Sequence, residues 1–363
     1  MNGIPKIGSR PDWPRIGARW IRKNLFNSWG NAVLTLLALW IVYAVAGGLF
    51  DWGVRLAVFR GSEPGPCRGV AGACWPVIKD MWPLFMVGTY PFEQRYRPLL
   101  ALILAALPAV GILWPRLRRS RFFAAGWLVA VGVAFVLIRG GAPSGLPLVD
   151  TSLWGGLLLT VLLSLVGITL AFPIGILLAL GRRSRMPIVH TLSVAYIELI
   201  RGVPLITILF MASVLLPLFF PDGFHLDKLV RAQVGIVMFA AAYQAEVVRG
   251  GLQGLPSGQQ EAAAALGLNY WQANAFIVLP QALRIVIPPM VSQFISLLKD
   301  TSLVTIIGLF DLLGVTTLVT ANPKWVGKIV ETYFFVAVIF WALCFSMSRY
   351  AMRLEKRLSA VER

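Results

Sequence analysis

The sequence predicts an all-α polytopic membrane protein with about eight transmembrane helices, and three observations predict it. Of 363 residues, 58% are hydrophobic and 13% charged, with a mean hydropathy of +0.75; a water-soluble surface needs more charge than that. Long uncharged runs occur, from Trp29 to Phe50 and from Thr151 to Gly181. A bilayer core of roughly 30 Å needs about 20 apolar helical residues, and these runs supply them. The third observation is where the basic residues fall. Lys6, Arg10, Arg15, Arg19, Arg22 and Lys23 precede the first run; Arg116, Arg118, Arg119 and Arg121 follow the second; Arg182, Arg183 and Arg185 follow the fourth. Basic clusters at span ends stay on the cytoplasmic side and set topology, so the net charge of +17 reads as orientation and attraction to anionic headgroups, and no nucleic-acid partner is expected. Period-two alternation is absent, which argues against a β-barrel.

In chain order, spans are expected near 29–50, 98–115, 122–138, 152–180, 190–220, 230–250, 275–299 and 328–348. A basic amino-terminus at 1–28 precedes them, and the first apolar run is too long for a cleavable signal peptide. Residues 29–150 hold three spans and a loop at 51–97, expected outside. Cys67 and Cys74 share that loop and either pair in an oxidising compartment or stay as separate thiols; Cys344 sits within a span. Residues 151–350 hold five spans with an inside loop at 255–272, and 351–363 form an inside basic tail. Both termini then lie in the cytoplasm. Between 300 and 327 the pattern breaks at Asp300, Asp311, Gly314 and Asn322-Pro323, which reads as a broken or partly re-entrant outer segment sheltered by protein. His190 and His225 stand apart from ligand-spaced partners, so no metal site is expected.

The segment Leu255–Pro289, LPSGQQEAAAALGLNYWQANAFIVLPQALRIVIPP, is the most informative. Ser257 with Gln260 forms a capping-box pattern, so a helix should start at Gly258. Glu261-Ala262-Ala263-Ala264-Ala265-Leu266 propagates it, and Gly267 suits a left-handed stop. Asn269 with Gln272 repeats the cap and restarts a helix. A short helix, a tight turn and a return helix are predicted, with one alanine-rich face shallow enough to enter a groove on a partner.

This spacing resembles the EAA signature of ABC importer permeases: Glu261-Ala262-Ala263, then Gly267, then Ile277, Leu279 and Pro280. Glu198-Leu-Ile-Arg201-Gly202-Val-Pro204-Leu205, Ala242-Tyr243-Gln244-Ala245-Glu246-Val-Val-Arg249-Gly250-Gly251 and Leu298-Lys299-Asp300-Thr301-Ser302-Leu303 are similar to segments of the polar amino-acid uptake subfamily. The match covers about 150–350. Ser257 departs from a common basic residue, and Asp311 from the usual glutamate. The longer amino-terminal part resembles the larger permease of general L-amino-acid uptake systems. The resemblance implies a type I permease core. Ser257, Gly258, Gln260, Glu261, Ala262, Ala263, Leu266 and Gly267 would form the coupling helix and its turn, docked in a cleft of a cytoplasmic ABC ATPase dimer. It also implies a heterodimer with a second permease and delivery of substrate by a periplasmic amino-acid-binding protein. No catalytic residue and no bound cofactor are expected of this chain; ATP and Mg belong to the ATPase, and no G-x-x-x-x-G-K-[ST] loop is present.

Ionisable residues within spans default to functional roles. Glu198 and Arg201, and Glu246 and Arg249, are three apart and can pair along their helices, as structural pairs or as substrate and gating contacts. Lys299 and Asp300 diverge on a helix and need other partners; with Thr301 and Ser302 they are candidates for the path of a zwitterionic amino acid or for a subunit interface. Pro173, Gly175, Pro204 and Pro217 read as packing and kink devices. An ion-driven secondary transporter is the alternative, and would call for a second copy of the broken-helix pattern; a membrane enzyme would call for clustered reactive side chains in the spans. Neither pattern is in the sequence.

Overall fold

The computed structural model describes residues 20–61, 65–67, 69–113, 123–141, 145–221, 226–256 and 258–359. Ser257, His225, the basic residues before Trp20 and those at 116–121 lie outside the described residues. Among the described residues there is no strand, only isolated bridges, and the chain divides into two compact units, 1–76 and 77–363.

In the first unit, α1 (Trp29–Phe50) starts where the Ser28 hydroxyl accepts the Asn31 amide, and none of its side chains is buried. It is apolar on every side, as a helix surrounded by lipid should be. A π turn at Asp51–Arg55 follows. Cys67 and Cys74 are joined by a disulfide, so of the two expected states the structure takes the paired one. Trp75 closes this small loop by donating to Gly53 O at 2.8 Å.

The second unit holds α2 (Pro76–Val87), the packed pair α3 (Tyr96–Leu113) and α4 (Phe123–Arg139), and α5 (Gly156–Arg182). It continues with α6 (Pro187–Gly202), α7 (Leu205–Val214), α8 (Lys228–Gln253), α9 (Gly258–Ala265), α10 (Tyr270–Ala273), α11 (Leu279–Asp300), α12 (Val315–Thr320) and α13 (Ile329–Ser359). Four described helical stretches are long and apolar enough to cross a membrane: 29–55, 156–182, 270–307 and 329–355; the bent pair α6–α7 makes a fifth. The helical segments fall on the eight expected spans, and α8 illustrates why composition alone finds fewer. It packs against α5, α6, α7 and α11, so neighbours rather than lipid cover most of it, and it tolerates Gln244 and Glu246.

One expectation needs correction. The span drawn through 190–220 is two helices bent by 105°. Val203 is extended, with φ −112° and ψ 135°, because the following proline excludes the helical conformation. Pro204 then caps α7.

At the 300–327 segment α11 runs into a 3₁₀ turn, Thr301–Ile307, stopped by Gly308 at φ +77°, and then α12; the segment is broken, as its sequence suggests. Backbones meet closely here. Gly156 opens α5 with φ +62°, and a Cβ there would lie 2.3 Å from Phe85 O; its N–H donates to Phe310 O at 2.9 Å. Only a residue without a side chain lets α2, α5 and the outer segment touch in this way.

Candidate functional site: the α9 loop and the charged face of α8

Helix α9 begins at Gly258, as the cap pattern predicts. It ends with Leu268 N–H donating to Ala263 O at 3.1 Å and Gly267 N–H to Ala264 O at 3.0 Å, while Gly267 sits at φ +77°. These two bonds satisfy carbonyls the helix would otherwise leave bare, in the Schellman arrangement. The chain restarts at once. Gln272 N–H donates to Asn269 Oδ1 at 2.9 Å and Asn269 N–H to Gln272 Oε1 at 3.1 Å, a complete capping box. A π turn, Asn274–Val278, then leads into α11.

Ala263 is buried, whereas Gly258, Gln260, Glu261, Ala262, Leu266 and Gly267 are exposed. Leu266 is 77% exposed, a large apolar side chain offered to whatever meets this helix. The loop is anchored by Gln281 Nε2, which donates to Gln259 Oε1 at 3.1 Å and to Ile277 O at 2.9 Å. Neither glutamine was singled out from sequence; they are 22 residues apart, and nothing local marks them as a pair. Beneath the loop, Ala179, Ile197, Ala245, Val248, Leu252, Val278, Ala282 and Val286 join α5, α6, α8 and α11 in one core. A push on α9 therefore meets a packed bundle, which transmits it.

The intramembrane charges pair across helices. Arg182 at the end of α5 lies 2.9 Å from Glu198 on α6 and 3.3 Å from Glu246 on α8. Arg201 lies 3.6 Å from Glu246 and over the Tyr243 ring at 5.5 Å. Arg249 also pairs with Glu246. The Glu246–Arg249 pair is thus present. The pairing of Glu198 with Arg201 is not: Glu198 is taken by Arg182, and Arg201 turns to α8. In the sequence Arg182 is one of a basic cluster at a span end, and its position next to Gly181 does not announce that it turns back onto two other helices.

Lys299 is exposed, whereas Asp300 is half-buried. It lines a small cavity of about 20 Å³ with Tyr243, Gln244, Gln293 and Ser296, room for about one water. Gln244 is 2% exposed and its Oε1 has no hydrogen-bond partner. Thr301 is buried, its hydroxyl donating to Leu298 O at 2.8 Å, and Ser302 is half-buried. Tyr243 belongs to both groups, touching Arg201 and lining the Asp300 cavity.

The family of "Binding-protein-dependent transport system inner membrane component" proteins matches residues 171–360, a stretch that includes α9, the ion cluster and Asp300. The chain belongs to that family. It is 50% identical over 341 residues to the inner membrane amino-acid ABC transporter permease protein YhdY of Escherichia coli (strain K12), across 94% of this chain and 92% of the relative. It is 39% identical over 414 residues to the glutamate/glutamine/aspartate/asparagine transport system permease protein BztC of Rhodobacter capsulatus, across 95% of this chain and 94% of the relative. The fold is similar to a crystal structure of an amino acid ABC transporter with histidines, with TM-score 0.50 and 28% identity, covering 56% of this chain and 92% of that one. The chain is a permease subunit of the type I ABC fold in the inner membrane, and ATP hydrolysis belongs to a separate ATPase.

Proposed function

We propose that this permease is the larger membrane subunit of an ATP-driven amino-acid importer, worked by alternating access. Its amino-acid class follows from relatives that match nearly end to end and are amino-acid ABC permeases. The observation that carries the mechanism is α9: a capped, alanine-faced helix with Glu261 and Leu266 exposed, seated on the core that ties α5, α6, α8 and α11 together. A cytoplasmic ATPase dimer grips α9 and its Gly267 turn, and closure of the dimer on ATP and Mg rocks those helices as a body. ATP and Mg stay on the ATPase. A second, shorter permease completes the pathway, and a periplasmic binding protein delivers substrate to the outer end. The basic amino-terminus (1–28) and the tail (351–363) lie in the cytoplasm, residues 29–150 form an added region, and 151–350 the core.

Asp300, with Thr301 and Ser302, stands beside the pathway, and Gln244 leaves an unpaired oxygen there. Glu198, Arg201 and Glu246 form its inner charged collar with Arg182; Arg182 reaches two carboxylates and Glu246 three arginines, so at these two residues one pair can break while another holds. A free zwitterion carries charges of both signs, which suits a collar of both signs.

The test is uptake of labelled amino acid by the complete complex in proteoliposomes with binding protein outside. Uptake should need ATP at the α9 face and survive a protonophore. Glu261→Lys should fold and insert normally, because the side chain is exposed and such substitutions cost within about 0.5 kcal/mol, yet retain less ATPase on purification. Uptake abolished by the protonophore and independent of the ATPase would support the ion-driven alternative instead.

A further inference from the structure

A groove of about 690 Å³ lies beside the α9 loop, between the α5–α6 turn and α10. Its lining includes Arg183 and Arg185, and no aspartate or glutamate. Arg183 spends one donor on Leu252 O at 3.1 Å; among the described residues neither arginine is in an ion pair. The groove therefore selects an anion.

Its other walls restrict the anion further. Leu177, Met186 and Val189 line it and are exposed. They continue the bare apolar faces of α5 and α6, where Leu170, Ile174, Ile188 and Leu192 are also exposed. Helix α5 is long and apolar enough to span a bilayer, so this wall runs into the acyl region. Opposite stand Tyr270 and Trp271, 48% and 63% exposed, of the residue types that settle at headgroup depth. A soluble protein could meet the arginines but not a wall continuous with lipid-facing helix.

We propose that this groove is a site for one anionic phospholipid, its phosphate held by Arg183 and Arg185 and its acyl chains lying along Leu177, Met186 and Val189. Ala264 and Leu268 of the α9 loop also line the groove. The bound lipid thus wedges the loop against the α5–α6 turn, and the anionic lipid content of the membrane tunes how stiffly α9 is mounted.

The experiment uses the complete transporter, delipidated in detergent and titrated with phosphatidylglycerol or phosphatidylcholine, with retained lipid counted by native mass spectrometry. Wild type should hold phosphatidylglycerol in preference to phosphatidylcholine. Arg183→Gln/Arg185→Gln should hold it roughly thirtyfold more weakly, two basic residues each contributing about 1 kcal/mol. Arg185→Gln alone, at an exposed side chain, should cost about fivefold on the same constant and covers the case that the double variant misfolds. Arg349→Gln, on α13 and away from the groove, should change nothing. Equal retention by wild type and both variants overturns the proposal, as does displacement of the lipid by excess inorganic phosphate, which would make this a phosphate site. Loss of the ATPase from the variants with lipid retention unchanged also overturns it, because the groove would then be a protein seat.

Discussion

Helix α11 enters and leaves its span by opposite means. At its start the chain arrives through α9 and α10, shaped by hydrogen bonds among residues no more than five apart, tied to α11 by the one Gln281–Gln259 bond, and largely open to solvent. At its end the chain enters a buried segment held by side chains distant in sequence. Asp311 is fully buried; its Oδ1 accepts the Gly314 amide at 2.8 Å and the Thr305 hydroxyl at 3.1 Å. Its Oδ2 lies 3.5 Å from the hydroxyl of Thr160, which is 151 positions away and accepts the Leu312 amide at 3.0 Å. A self-contained loop keeps its shape while a partner moves it. A buried network has one shape and resists. On the proposed mechanism, the first end takes the push and the second holds register.

The sharpest way to break this contrast is Asp311→Leu. It leaves the Gly314 amide and the Thr305 hydroxyl without their buried acceptor, each at about 1–3 kcal/mol, so a loss of about 3 kcal/mol is expected, read as a lower melting temperature in detergent. Asp311→Asn keeps an acceptor oxygen for Oδ1 and should lose less than half as much. Equal melting of wild type and Asp311→Leu would mean that the outer segment does not depend on the network, and the contrast would fail.

The two ends also differed in how far they could be read from sequence. Gly267, Asn269 and Gln272 act on backbone within a few residues, so their types and spacing announce what they do, and the structure places each in that role. Asp311 stood out as a break in the apolar pattern and a departure from the family's glutamate, but its partners, distributed over α5 and the 3₁₀ turn, were not legible. Arg182 shows the same limit: its partners Glu198 and Glu246 lie on two other helices. The α6–α7 break hid for another reason. Leu205–Val214 is as apolar as a span interior, and hydropathy records transfer to lipid, not the direction of the backbone, so Pro204 read as a kink within one span rather than a turn between two helices. Arg97 is a further case. Buried, it donates to Leu137 O at 2.7 Å and Pro147 O at 2.9 Å and so caps the end of α4, a role visible only once residues 40 and 50 positions away have come together.

A middle-sized effect is expected at the open end. Gly267 has φ +77°, and a Cβ there would meet nothing within 4 Å, so the cost of Gly267→Val is backbone strain alone, about 1–2 kcal/mol. Because the loop can open locally without unfolding the bundle, the melting temperature should stay near wild type. ATP hydrolysis stimulated by loaded binding protein should fall several-fold. Gly267→Asn, a residue that tolerates the left-handed region, should keep most of it. Wild-type stimulation in Gly267→Val would show that the turn's shape is not what the ATPase grips.

The smallest effect tests how the closed end is braced. Asp80 on α2 accepts from Trp325 Nε1 at 2.7 Å and Lys324 Nζ at 2.9 Å, tying α2 to the chain after α12. Burial works to raise its pKa, but the hydrogen bonds from Trp325 and Lys324 and the lysine charge outweigh it, leaving Asp80 below its ordinary 3.8. A depressed carboxylate contributes stability that is fully present above its unfolded pKa and is lost as pH falls through the folded value. Asp80→Asn should therefore cost under about 1 kcal/mol near pH 7, the range for a partly exposed pair. The gap to wild type should hold down to about pH 4 and close below it, once the wild-type carboxyl is protonated as well. A gap that stays constant through that range would mean that the brace does not draw on the carboxylate's charge, and acid would then loosen neither end of α11 more than the other.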